Sequence, residues 1–465
     1  MKILLAHKCF YYKGGAEVFF FEVARVLKEH GHEVAFFSIN DEKNLESEWA
    51  KYFIDAPDFK APGLFSKLKA LANIPYSLST KRAFIKLLND FKPDIVHCFN
   101  IMTHISPSIM VAARERNIPV VISHNDYKHI CPNYKLYNAG KACDKCKDGC
   151  YIHCLLTKCA HGSLAFSAAS TIEAYVHKWI KVYEKNVTLH LVSCNYMANV
   201  TEMFWKRKIN YGMLLNPFKV PPMPDVIKEG DFGLYFGRLV DEKGVDILLK
   251  ALTVAGDIPF VIVGNGPEED KLKKIAVDAN LKNVKFVGPK WGAELDHYLN
   301  NCRYVVCPSI WQENVPYVIL QAFAACKPVI GSIRGGIPEL ISSDRGVLYE
   351  AEDYHALAEK MITMNKKPLE CKTMGLAARK FVEHTFNDNE FYKALKDNPA
   401  GTLKNGVAGV GSSGYNAVMV LSATDKTMGK GKNISYSGGA AAITALLAGE
   451  VDFTSQLSYE MIDLR

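Results

Sequence analysis

Residues 303–345, RYVVCPSIWQENVPYVILQAFAACKPVIGSIRGGIPELISSDR, constrain this chain more than any other stretch. Tyr304–Cys307 is a short apolar run closed by Pro308, the pattern of a central parallel strand covered on both faces. Val318, Leu320–Phe323 and Cys326 give one apolar helical face, and Lys327-Pro328 stops that helix. Val329–Ile330 is the next strand. Gly335-Gly336 then allows close backbone approach, and Pro338 suits the first turn of a following helix. The alternation commits the surrounding chain to an α/β fold with a parallel sheet.

Such an arrangement offers a ligand site at the strand ends, with helix N-termini aimed at anionic groups. Glu313 sits in the elbow before the helix, where a carboxylate can hold hydroxyl groups, and Gln321 follows about two helical turns along. Pro308-Ser309, Glu313 and Gly335-Gly336-Ile337-Pro338-Glu339 resemble the donor-site motif of the retaining glycosyltransferases of family 4, which have the GT-B fold. In that family a second Glu stands where this chain has Gln321.

At 465 residues the chain has room for two or three domains. Its 49% hydrophobic and 23% charged residues fit a soluble globular protein. A net charge of +7 suits an anionic substrate or an anionic membrane surface and by itself names no partner. No apolar run approaches bilayer-spanning length, and Met1–Cys9 reads as a first strand, its apolar part being too short for a signal peptide. The expectation is a cytoplasmic protein with no nucleic-acid partner.

Ile3–Ala6, the Gly14-Gly15 turn, the helix through Val18–Glu29 and Val34–Ser38 form a β-loop-α-β unit. The two glycines either let backbone N–H groups at a helix N-terminus face a phosphate or sugar, or make a plain tight turn. Residues 59–92 carry seven Lys or Arg against one Asp, which is either a solvated helical face or an interfacial helix on anionic lipid. Pro119–Ser123 is a strand, and His124-Asn125-Asp126 comes at its C-terminal edge, where open α/β sheets bind ligands.

Six of the thirteen cysteines fall between Cys131 and Cys159, with His129, His153 and His161 interspersed. A C-x2-C pair with further Cys at short spacing is a soft-metal signature, with structural zinc as the default; free or redox-labile thiols are the alternative. Cys143 and Cys146 form its core, and Cys154 and Cys159 are the candidates for completing it.

The Pro-rich stretch 217–224 is a linker, after which a new α/β unit begins at Gly233–Phe236. In the loop Gly237–Gly244, Arg238 and Lys243 can place a planar fork and a point charge on one diphosphate; salt bridges to Asp241 and Glu242 are their other use. Phe260–Val263 ends in a second close-approach turn, Gly264-Asn265-Gly266-Pro267. Residues 353–396 read as helical.

The family resemblance covers about 1–396 and also rests on a Gly-Gly-x-Glu loop at 14–17, a His-Asp loop carrying one inserted Asn at 124–126, and Gly-Arg-x4-Lys-Gly at 237–244. It implies an α/β chain of two Rossmann-like domains facing a cleft. These are an acceptor domain at 1–220 with a Cys-rich insert at 129–161, a donor domain at 221–377, and a closing helix at 378–396 that returns to the first domain. A nucleotide diphosphate sugar is the implied donor, transferred with retention and without a catalytic metal. Arg238 and Lys243 would stabilise charge on the leaving diphosphate, Glu313 with Asn314, Val315 and Pro316 would position the sugar, and His124 would lie near it. Gly14, Gly15, Gly237, Gly264, Asn265, Gly266 and Gln321 complete the implied donor site. Asp126 would face a glycan or polyprenyl-linked acceptor, and peripheral association with an anionic membrane goes with the latter. The insert, CPNY at 131–134 followed by C-x2-C, is similar to one in a branch that builds surface polysaccharides. Gln321 weakens a charge-assisted bond to the ribose to a neutral one, at a cost of about 1 kcal/mol. A non-catalytic nucleotide-sugar binder or scaffold is therefore the rival reading.

Residues 397–465 change abruptly to a Gly-, Ala- and Ser-rich composition. They resemble an internal piece of the periplasmic solute-binding proteins of tripartite tricarboxylate transporters, a fragment foreign to a cytoplasmic enzyme.

Overall fold

A computed structural model describes residues 1–56, 74–224 and 226–397. The expectations for residues 59–73 and for the tail beyond 397 lie outside these described residues. The first half contains β1 (Lys2–His7), β2 (Glu33–Phe37), β3 (Ile95–Phe99), β4 (Val120–His124), the hairpin β5 (Tyr137–Asn138) and β6 (Lys141–Ala142), β7 (Leu189–Val192) and β8 (Tyr211–Met213). Six of these form a parallel sheet in the order β2-β1-β3-β4-β7-β8. The second half contains β9 (Gly233–Phe236), β10 (Phe260–Val263), β11 (Val284–Phe286), β12 (Tyr304–Cys307), β13 (Val329–Ser332) and β14 (Gly346–Tyr349). They form a second parallel sheet, β11-β10-β9-β12-β13-β14.

Both sheets are covered on both faces by helices, which is why runs such as Phe260–Val263 and Tyr304–Cys307 are apolar at every position and wholly buried. In each sheet the strand order reverses beside the first strand. β1 lies between β2 and β3, and β9 lies between β10 and β12. Loops leaving the C-terminal ends of strands on either side of such a reversal diverge and leave a crevice. Chain topology thus puts the loops after β9 and β12 at one crevice, and the loops after β1 and β3 at another.

Two segments correct or extend the reading by sequence. Within the basic stretch, the Leu78–Phe91 helix is capped by Ser77 and buries Phe84, Leu87, Leu88 and Phe91. The core takes up the apolar face of this helix. At the other end, the Asp388–Asp397 helix packs on the Gly15–Glu29 helix of the first half. Tyr392 stacks on His30 with centroids 3.5 Å apart, and Arg25 holds Asp388 at 2.9 Å.

Candidate functional site

The crevice of the second sheet gathers three of the expected residues. Lys243 closes a short helical turn after β9, and its ammonium pairs with the Glu313 carboxylate in the loop after β12. Ser309 donates to the same Glu313 oxygen at 2.7 Å. Burial alone would raise the Glu313 pKa, but the Lys243 ammonium and the Ser309 hydroxyl outweigh it and hold the carboxyl below its usual range. Arg238, on the same loop, is exposed and has no ion-pair partner among the described residues. The alternative use of the two cations is not realised, because Asp241 and Glu242 are engaged elsewhere: Asp241 accepts from the Tyr137 hydroxyl at 2.6 Å and Glu242 pairs with Lys135 at 2.8 Å.

Backbone packing around this pair needs glycine at two points. Gly264 has φ +139° and its absent Cβ would collide with the Gly237 carbonyl, while Gly335 has φ +55° and would collide with the Glu313 carbonyl. Asn265 accepts from the Leu239 N–H at 2.8 Å, which locks the two glycine turns together. Gly266 likewise abuts the Leu239 backbone. Val315 is buried, Pro316 precedes the Tyr317–Ala324 helix, and Gln321 is half-buried on that helix.

The first half meets this crevice through two loops. Gly14 caps the Gly15–Glu29 helix, and a Cβ on Gly15 would stand 3.4 Å from the Tyr317 ring of the second half. Asn314 donates to the Asn125 carbonyl at 3.0 Å, while the Asn314 Oδ1 and Asn125 Nδ2 atoms are buried without a partner. Such orphaned polar atoms at an interface are groups a polar ligand could satisfy.

His124 is the last residue of β4, so its side chain is held in the sheet rather than on a loop. It shares a 2.9 Å hydrogen bond with His190 and packs at a tilt against the His129 ring, centroids 3.8 Å apart. Burial pushes its pKa down to about 3, keeping the imidazole neutral. Asp126 accepts from the Lys128 N–H at 2.9 Å, and burial raises its pKa. Both line a cavity of about 780 Å3 walled also by Lys8, His104, Tyr134 and Phe166. Arg238, Lys243 and Glu313 do not line it, but its wall residues Lys135 and Tyr137 reach the loop that carries the two cations.

Lys135 and Tyr137 were not singled out by sequence, nor was the role of Glu339, which accepts from Asn195 N–H and Tyr196 N–H at 2.8 Å each and so caps a first-half helix from the second half. The Cys-rich segment behaves differently from expectation. Cys154 Sγ donates to the Ser167 carbonyl at 3.8 Å, and the interaction between Cys154 and Cys159 lowers the first thiol's pKa and raises the second's. A closed four-thiolate zinc set needs its sulfurs roughly 3.8 Å apart. Among the described residues the group of three ligand atoms lying within 4.8 Å of one another is instead His7, Cys9 and Glu17. Cys143, Cys146, Cys154 and Cys159 are not gathered in this way, and their arrangement does not fit that set.

The family models divide the chain along the same line. "Glycosyltransferase Family 4" matches residues 13–142 and "Glycosyl transferases group 1" matches residues 225–381. Both halves carry glycosyltransferase domains. An uncharacterised 42.6 kDa protein of the cps region of Klebsiella pneumoniae is 28% identical over 356 residues, 73% of this chain and 87% of that protein. The amylovoran biosynthesis glycosyltransferase AmsK of Erwinia amylovora is 31% identical over 175 residues, which spans 35% of this chain but only 43% of AmsK. Among solved structures, sucrose-phosphate synthase of Thermosynechococcus elongatus aligns with a TM-score of 0.61 at 17% identity, over 86% of this chain and 98% of that one. HepE of Anabaena in complex with UDP aligns with a TM-score of 0.58 at 16% identity, over 86% of this chain and all of HepE's, 100%. The two Rossmann-like domains of this chain therefore have the GT-B fold. Among its described residues no helix is long and apolar enough to cross a membrane.

Proposed function

We propose that this chain transfers a sugar from a nucleotide diphosphate donor, with retention at the anomeric carbon, to a glycan or polyprenyl-linked acceptor during surface-polysaccharide synthesis. The observation that carries the reading is the pairing of Lys243 with buried Glu313 beside the unpaired Arg238, at the strand-order reversal of the second sheet. Arg238 is the free cation for the diphosphate, and Lys243 sits where it can neutralise charge on the leaving group while keeping Glu313 ionised. Glu313, flanked by the Asn314–Pro316 backbone, accepts sugar hydroxyls, and Gln321 reaches toward the nucleoside. The Gly14-Gly15 loop closes the donor site from the first half. The cavity behind His124 and Asp126 takes the acceptor, and its neutral imidazoles supply hydrogen bonds rather than charge. No metal enters this chemistry. Relatives named for amylovoran, colanic acid and teichuronic acid biosynthesis support the pathway class. We place the protein in the cytoplasm, peripheral on the inner face of the membrane when the acceptor is polyprenyl-linked.

The test is a panel of nucleotide diphosphate sugars scored by thermal shift and by donor hydrolysis. One donor should stabilise the protein and be turned over, and Arg238→Ala should weaken both. If no donor shifts the protein, or if Arg238→Ala binds the active donor as well as the parent does, the reading fails.

A further inference from the structure

The Leu164–Trp179 helix is oriented against the usual rule for a surface helix, which hides its apolar stripe and shows its polar one. Its buried residues are polar and individually satisfied. Ser167 accepts from the Ala160 N–H at 3.1 Å, Thr171 donates to the Tyr151 carbonyl at 3.4 Å, Glu173 pairs with Lys128 at 2.8 Å and His177 bonds the Pro75 carbonyl at 3.0 Å. The opposite face is apolar and open to solvent, with Ile172 59% and Trp179 73% exposed. Ile172 and Trp179 are two turns apart and so lie on one line along the helix. Leu164 on the same helix and Leu156 on the short helix before it are also exposed. A contiguous apolar patch of this kind marks a contact surface.

Charge decides what it contacts. Lys158, Lys178, Lys181 and Lys185 are exposed beside the stripe. Both carboxylates of residues 152–186 are taken, Glu173 by Lys128 and Glu184 by Arg207 at 3.5 Å. Lys158, Lys181 and Lys185 have no carboxylate partner among the described residues. Apolar side chains ending in a Trp and edged by unpaired lysines match an anionic bilayer interface. The stripe also begins at the cavity assigned to the acceptor, since Ala165 and Ala169 line it.

We propose that the outward face of the Leu164–Trp179 helix is where this protein rests on an anionic lipid bilayer, bringing the cavity mouth to the membrane surface. The proposal builds on the acceptor reading above, but its test does not depend on catalysis. The full chain is floated with vesicles of phosphatidylcholine alone and of phosphatidylcholine with phosphatidylglycerol, in parallel with the double variant Ile172→Asp, Trp179→Asp. Both positions are exposed, so the variant keeps its fold, and an unchanged melting temperature checks this. The parent should float with the anionic vesicles and not with the neutral ones, and the variant should bind at least about tenfold more weakly. Equal flotation of parent and variant, or none by the parent, overturns the proposal. So does a dimer of the parent that the variant dissolves without any vesicle binding, because a second copy would then cover the face. Donor turnover is measured on the same samples without vesicles. Its loss in the parent speaks against the transferase reading, while its retention in a variant that no longer floats separates the two.

Discussion

The Asn314 side chain donates to the Asn125 main-chain carbonyl at 3.0 Å, joining the Glu313 elbow of one sheet to the His124–Asp126 edge of the other. The two loops are therefore held in register by a direct bond. Removing it with Asn314→Ala should cost about 1 kcal/mol, roughly fivefold in kcat/KM for transfer, with little change in melting temperature. Steady-state kinetics on the active donor checks this, and an unchanged kcat/KM would show that the contact is incidental.

Lys243→Met removes the counter-charge from buried Glu313. In the parent, Glu313 has a lowered pKa, so its contribution to stability is present above the ordinary carboxylate range and is lost as pH falls through the folded value. Without Lys243, burial outweighs the remaining Ser309 hydrogen bond, which raises the pKa and reverses the sign: the variant should lose stability as pH rises above about 5. At neutral pH the penalty should approach 3 kcal/mol, and Glu313→Gln in the same background should recover part of it. Denaturant melts at pH 5 and pH 8 measure both effects.

Gln321→Glu should tighten nucleotide-sugar binding by about 1 kcal/mol, roughly fivefold in Kd, by restoring a charged acceptor. Calorimetric titration of parent and variant reads this directly. If affinity is unchanged, residue 321 does not face the ribose.

His124, His129 and His190 form a buried imidazole cluster whose pKa values are all lowered, mainly by burial. Unfolding frees each to take a proton below about 6.5, so stability should fall as pH drops from there, by about 1.4 kcal/mol per pH unit for each ring. His190→Leu should flatten that slope. Between pH 6.5 and 8 the folded cluster binds no proton, and the transfer rate should show no inflection due to His124.

Much of this architecture was readable because parallel strands covered on both faces leave continuous apolar runs, and the site loops follow them directly. Tyr304–Cys307 and Phe260–Val263 are examples, with the Gly237–Gly244 turn and the Glu313 elbow close behind their neighbours. The sequence reading ended β4 one residue early, and that residue is His124, which moves its ring from a loop into the sheet. Contacts between halves left no local trace. Lys135 meets Glu242 and Glu339 meets Asn195 across separations of 107 and 144 residues, which no spacing rule reaches. The cysteine spacing named candidates, but sulfur positions depend on how the short helices around them fold. For the Leu164–Trp179 helix, only its tertiary partners decide which face turns outward.

The return of the Asp388–Asp397 helix to the Gly15–Glu29 helix means that the polypeptide passes between the lobes twice, once through the Pro-rich connector and once here. Two crossings tether the lobes where one connector would leave them freer, so any relative movement has to satisfy both at once.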